Sequence, residues 1–171
     1  IPDNTSKDPS IDQIINLIKS WEDDGYGIAL MGAEPTTRKD LPELCRAIQT
    51  LPGKPRGIMI LTNGVYLSDY DYAKEFLDMP NVLWTIGLNH PDYQGHTVRA
   101  KQIAGIENCL KLGMKIKNVS YTLETVSQLE YCLEEKLINH DEIKLMLEPS
   151  IELQHDYFNS FINECYNNSS L

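Results

Sequence analysis

Along the chain, apolar residues at three-to-four spacing alternate with short β-branched runs, and the alternation repeats five times. Helical periodicity followed by a short apolar strand, repeated, is the pattern of βα units, and strands this short and this apolar imply a parallel sheet with right-handed crossovers. The first helix takes Ser10 as its N-cap, turns Ile11, Ile14, Ile15, Ile18 and Trp21 inward, and stops near Gly25 ahead of a strand at 26–31. Asp40 and Glu43 have the spacing of a capping box, with Pro42 tolerated in the first turn, and open a helix whose inner face is Leu41, Leu44, Cys45 and Ile48. Pro52 and Gly53 end it.

Further strands are expected at 57–61, 82–88, 114–121 and 143–147. Helices fall at about 69–77, at about 97–112 with Gly113 as the stop, and after Thr125 and Gln128 to near Asn139. A last amphipathic helix at about 152–165 turns Phe158, Phe161 and Ile162 inward, and 166–171 should fray. Two architectures fit this order: an open doubly wound sheet, or a partial parallel (β/α) barrel of about five strands. The chain starts with a helix that leads into a strand, so a barrel's first strand is missing and a fragment is expected. The edge left by that strand is expected to favour pairing with another copy of the chain.

At 42% hydrophobic and 23% charged residues, 1–171 reads as a single domain able to bury its own core. The net charge of −10 without a cluster of Lys or Arg argues against a nucleic-acid or anionic-lipid partner, because that binding runs on phosphate neutralisation. No apolar run reaches the ~18 to 20 residues of a membrane span, and the polar first ten residues do not read as a signal peptide, so a cytoplasmic chain is expected. Cys45, Cys109, Cys132 and Cys165 are scattered among apolar residues at helical spacing, which reads as buried thiols and not as a metal motif.

Ligands of parallel α/β folds meet the carboxyl ends of the strands. The residues there are small or polar: 32–36, 62–64, 89–92, 120–122 and 148–150. Gly32 permits close approach of a ligand to the backbone, Glu34 can accept from an ammonium group, and Pro35 holds the turn while removing a donor. Gly32-Ala33-Glu34-Pro35, then Thr62-Asn63-Gly64 after one helix, then an apolar strand ending Ile86-Gly87-Leu88-Asn89, resembles the central part of a radical S-adenosylmethionine enzyme over about 11–121. The resemblance implies that Gly32, Ala33, Glu34 and Pro35 bind the amino group of S-adenosylmethionine, with Ala33 standing where the family carries a second glycine. It implies further that Thr62 and Asn63 shape the same pocket, that Gly87 occupies the place of a serine and lacks its hydroxyl, and that Arg99 meets the methionyl carboxylate. Ser120 and Thr122 would touch ribose or adenine.

The large departure is the family's Cys-x-x-x-Cys-x-x-Cys loop, which this sequence does not contain. Three cysteinates there hold three irons of a 4Fe-4S cluster and leave the fourth open to the cofactor. The simplest account is that the chain starts downstream of the loop; with it, the parent enzyme would reductively cleave S-adenosylmethionine to start radical chemistry on a small-molecule or peptide substrate. Two other classes stay open. One is a cluster-free binding or scaffold module of the same fold. The other is a metal-dependent barrel hydrolase or lyase resting on His90, Asp92 and His96, with His140 and His155 as the remaining histidines. Glu34 and Glu148 have the chemistry for acid/base work, but their positions in the sequence do not set them face to face.

Overall fold

The computed structural model describes residues 8–21, 27–52, 57–123, 128, 131 and 145–149. Helix α1 (Ile11–Lys19) opens on Ser10 with a reciprocal capping box: the Gln13 N–H donates to the Ser10 hydroxyl at 3.2 Å, and the Ser10 N–H donates to the Gln13 side chain at 2.8 Å. It ends six residues before Gly25, where the Ser20 hydroxyl donates to the Leu17 carbonyl at 2.6 Å. Trp21 therefore leaves the helical face and is 48% exposed, which corrects its expected inward position. Strand β1 (Gly27–Leu30) follows, then a 3-10 turn at Pro35–Thr37 and helix α2 (Leu41–Gln49). The expected Asp40–Glu43 capping box is absent, because the Asp40 carboxylate is drawn to Arg38, whose guanidinium donates to it at 2.9 Å. Leu41, Leu44, Cys45 and Ile48 are buried as the periodicity implies.

Strand β2 (Gly57–Thr62) leads through a 3-10 turn at Tyr66–Ser68 into the short helix α3 (Tyr70–Lys74), capped by the Asp69 carboxylate. Strand β3 (Val82–Gly87) is followed by a one-turn helix α4 (Pro91–Gln94) and the long helix α5 (His96–Lys111). Gly113 sits at φ +67 and donates to the Leu110 carbonyl at 3.0 Å, the left-handed helix stop that glycine adopts without strain. Strands β4 (Ile116–Leu123) and β5 (Leu145–Pro149) both lie two residues later than expected. Their bounds are set by neighbours across the ladder: Trp84 opposes Ile116, and Val119 to Leu123 oppose Leu145 to Pro149. The expected helices at 125–139 and 152–165, the frayed tail, Cys132 and Cys165 lie outside the described residues, apart from Gln128 and Tyr131.

The five strands are all parallel and stand in the order β1-β2-β3-β4-β5. A doubly wound sheet reverses its order at a switch point, so sequential winding selects the partial (β/α) barrel. One alternating set of side chains, Ile28, Ile58, Ile60, Trp84, Ile86 and Tyr121, is buried against the helices, with Phe76 of the turn after α3 packed edge-on against Trp84 at 4.9 Å between ring centroids. The opposite set, including Ala29, Met59, Leu61, Leu83 and Ser120, is half-buried or exposed. Helices thus cover one face, and the carboxyl ends of the strands share one rim.

Candidate functional site

At that rim the Glu34 carboxylate ties two turns together. Its Oε1 accepts from the Thr36 N–H at 3.1 Å, from the Thr36 hydroxyl, and from the Thr62 hydroxyl at 2.5 Å. Its Oε2 accepts from the Asn63 N–H at 2.7 Å. The sequence explains why these groups converge. Glu34 caps the 3-10 turn begun by Pro35, and β1 and β2 are in register from Gly27 opposite Gly57 onward, so their ends and the turns beyond them lie side by side. The network continues into the second turn, where the Gly64 N–H donates to the Thr62 hydroxyl at 3.0 Å and the Val65 N–H to the Asn63 side-chain oxygen at 3.0 Å. Tyr72 closes it from α3 by donating its hydroxyl to the Thr36 carbonyl at 3.3 Å. Burial, with Cys45 and Glu34 nearby, pushes the Tyr72 phenol well above its ordinary range, so it stays a donor.

Gly64 is held at φ +76, and a Cβ there would lie 2.8 Å from the Ile86 side chain. Gly105 of α5 approaches still closer, since a Cβ on it would stand 2.3 Å from the Gly64 carbonyl oxygen. The Thr62-Asn63-Gly64 turn thus rests backbone to backbone on α5. Sequence reasoning passed over Gly105, although a glycine inside a helix is a signal in itself because it weakens the helix. Gln102, also passed over, is fully buried and donates to the Gly87 carbonyl at 3.0 Å. It shares a helical stripe with Arg99, Ile106 and Cys109, and polar groups on an otherwise apolar stripe mark positions with a specific partner.

The Glu34 carboxylate is half-buried and gathers donors from both turns, three hydrogen bonds meeting its Oε1 and one its Oε2. Among the described residues no hydrogen bond occupies the carbonyls of Gly32 and Ala33. Both residues line a cavity of about 310 Å³ with Glu34, Pro35, Arg38 and Asp8, and with Ile14, Leu30, Leu41 and Leu44 from β1 and the helices α1 and α2 beside it. Gly87 stands opposite Ser120 in the β3–β4 ladder, and Thr122 lies two residues further on the same face as Ser120. Arg99 is on the helical side: 3% exposed, it donates to the Asn89 carbonyl at 2.7 Å and lies 5.1 Å from the ring centre of Tyr121. The structure therefore joins Glu34, Thr62 and Asn63 directly, sets Gly87 beside Ser120, and packs Arg99 behind the sheet.

Cys45 and Cys109 are buried on separate helices, and burial pushes both thiols up to about 12. Among the described residues no three His, Cys, Asp or Glu side chains gather where a metal would sit. His90 accepts the Asp92 N–H at 3.2 Å and so caps α4, while His96 is exposed at the start of α5. The metal-hydrolase alternative accordingly finds no ligand set there. His140, His155 and the side chain of Glu148 are outside the described residues.

A sequential parallel sheet with helices on one face and two interlocked polar turns at its carboxyl rim defines a partial (β/α) barrel. The model of the Radical SAM superfamily matches residues 2–130, and the chain belongs to that superfamily. The search of curated proteins returned no match. Membership implies S-adenosylmethionine-dependent radical chemistry in general, and the superfamily generally uses a 4Fe-4S cluster with it. The rim turn has the chemistry to hold an ammonium group such as that of S-adenosylmethionine, since Gly32 and Ala33 border a cavity and their carbonyls accept no hydrogen bond among the described residues. Cys45 and Cys109, buried on separate helices, do not supply the three closely spaced thiolates that hold such a cluster.

Proposed function

We propose that the rim built by Gly32, Ala33, Glu34, Pro35, Thr62 and Asn63 binds the amino-acid end of S-adenosylmethionine, and that the chain serves as the binding core of a radical enzyme. The observation that supports this reading is the bonding of the Glu34 carboxylate to Thr36, Thr62 and Asn63, which holds the turn still beside the carbonyls of Gly32 and Ala33, where no hydrogen bond from the described residues competes with an ammonium group. Gly87, Ser120 and Thr122 line the neighbouring strand ends for the ribose and adenine, and Arg99 acts by holding the loop after β3. Reductive cleavage of S-adenosylmethionine to begin substrate radical chemistry belongs to a cluster whose ligands come from outside these 171 residues.

Pairing of two copies through β1, an end strand of the described sheet, is part of the proposal, and neither nucleic acid nor membrane is among the partners. No helix among the described residues is long and apolar enough to cross a membrane.

Calorimetric titration of the chain with S-adenosylmethionine tests the rim. Charge-assisted contacts contribute ~1.5 to 3 kcal/mol each, against a large entropic cost of association, so roughly millimolar affinity is expected without a cluster. Glu34→Ala should weaken it further. Equal affinity in wild type and variant would remove the rim from the site.

A further inference from the structure

The face of the sheet turned away from the helices carries a second cavity, of about 350 Å³, near the amino ends of the strands. It is bordered by Gly27, Ala29, Gly57, Met59, Leu83 and Lys117. The glycines and Ala29 contribute almost no side chain, which opens the space, and Met59 and Leu83 make its walls apolar. Lys117 owes its place to an irregularity in the ladder. Trp84 opposes Ile116 but Thr85 opposes Asn118, so Lys117 is an extra residue in β4. A bulge of this kind re-aims a side chain, and here the ammonium reaches across β3 to within 3.6 Å of the Met59 sulfur.

No carboxylate of the described residues lies within salt-bridge distance of Lys117, in a chain whose net charge is −10. An exposed ammonium at the border of an apolar cavity, with no carboxylate partner among the described residues, suits a ligand with an apolar body and one negative end. A phosphate dianion draws on several converging donors, whereas a single ammonium matches a monocarboxylate. Above Lys117 on the same face, Asn118 accepts the Thr85 hydroxyl at 3.0 Å and offers its amide nitrogen toward Met146. Met59 lies three residues below Thr62, about 10 Å along the strand. A carboxylate held at Lys117 would extend its body past Leu83 and Leu61 and present its far end toward the carboxyl ends of the strands.

We propose that Lys117 anchors the carboxylate of a small organic acid on the face of the sheet turned away from the described helices, and that this acid is the substrate class of the enzyme. The assignment as substrate rests on the reading of the rim as the cofactor site; the anion site itself does not.

The probe is octanoate, with octan-1-ol as its uncharged counterpart, titrated into the full chain carrying 13C-methyl methionine. Octanoate should shift the Met59 methyl resonance saturably and leave that of buried Met79 in place. Octan-1-ol, and octanoate with Lys117→Gln, should each bind about tenfold more weakly or worse, the scale of one charge-assisted contact, while Lys117→Arg retains binding. Equal affinity for octan-1-ol, or unchanged binding in Lys117→Gln, overturns the anion site. Titration with S-adenosylmethionine in the presence of octanoate separates the two readings. Loss of Lys117 dependence alone sinks the anion site, while failure of S-adenosylmethionine to bind leaves that site standing and removes its role as the substrate pocket.

Discussion

The Asn63 backbone N–H donates to the Glu34 carboxylate at 2.7 Å, across 29 residues of sequence. This bond joins the turn after β1 to the turn after β2, so the rim is one piece and not two adjacent loops. Glu34 holds these two turns together.

Glu34→Ala should leave the Asn63 N–H and the Thr36 and Thr62 hydroxyls without their shared acceptor and lower stability by roughly 2 kcal/mol or more. Glu34→Gln keeps the shape but offers one acceptor oxygen in place of two, so a smaller loss is expected. Urea denaturation followed by circular dichroism measures both, and equal stability in all three proteins would show that the latch is not formed in solution.

Gly105→Ala is expected to be destabilising by about 1 to 3 kcal/mol, although alanine is the better helix former, because its Cβ would press on the Gly64 carbonyl. The amide signal of Asn63 should shift with it, since the turn must give way. A stabilised variant with an unmoved Asn63 amide would refute the close seat of α5.

Cys45 and Cys109 ionise near 12 instead of 9.0, because burial disfavours the thiolate. The folded chain thus keeps its protons where the unfolded chain loses them. Stability from this source is complete below about pH 9 and falls as pH rises toward 12. Alkylation by iodoacetamide at pH 8.5, mapped by mass spectrometry, should spare both cysteines until denaturant is added; prompt labelling of either would contradict their burial.

The chain alone should take up no stoichiometric iron or labile sulfide on anaerobic reconstitution, given the spacing of its cysteines. A visible charge-transfer band with three or more irons per chain would show that the scattered cysteines meet after all.

Strand β1 ends the described sheet, and Ala29 on it is exposed. Light scattering over rising concentration should therefore reveal a dimer, and a monomer throughout would exclude pairing at that edge.

What the sequence determined by itself is the alternation of elements and the residue types at their ends. Ser10, Leu41, Leu44, Cys45, Ile48 and Gly113 take the positions that periodicity and cap chemistry assign, because those signals act over three or four residues. The order of the polar turns, Gly32 to Pro35 and then Thr62 to Gly64, likewise pointed to the family. Other features depended on neighbours distant in the chain. Arg38 competes for the Asp40 carboxylate and removes the expected cap; β3 and β5 set the bounds of β4; Arg99 finds Asn89 and Tyr121 on the helical side of the sheet. Glu34 could be read from sequence as a ligand, and only the register of β1 on β2 shows that Thr62 and Asn63 come within 3 Å of it. Local signals decide which element forms, because they act within one helical turn; which partner a polar side chain meets is decided by packing, because only the folded sheet sets the distances between its strands.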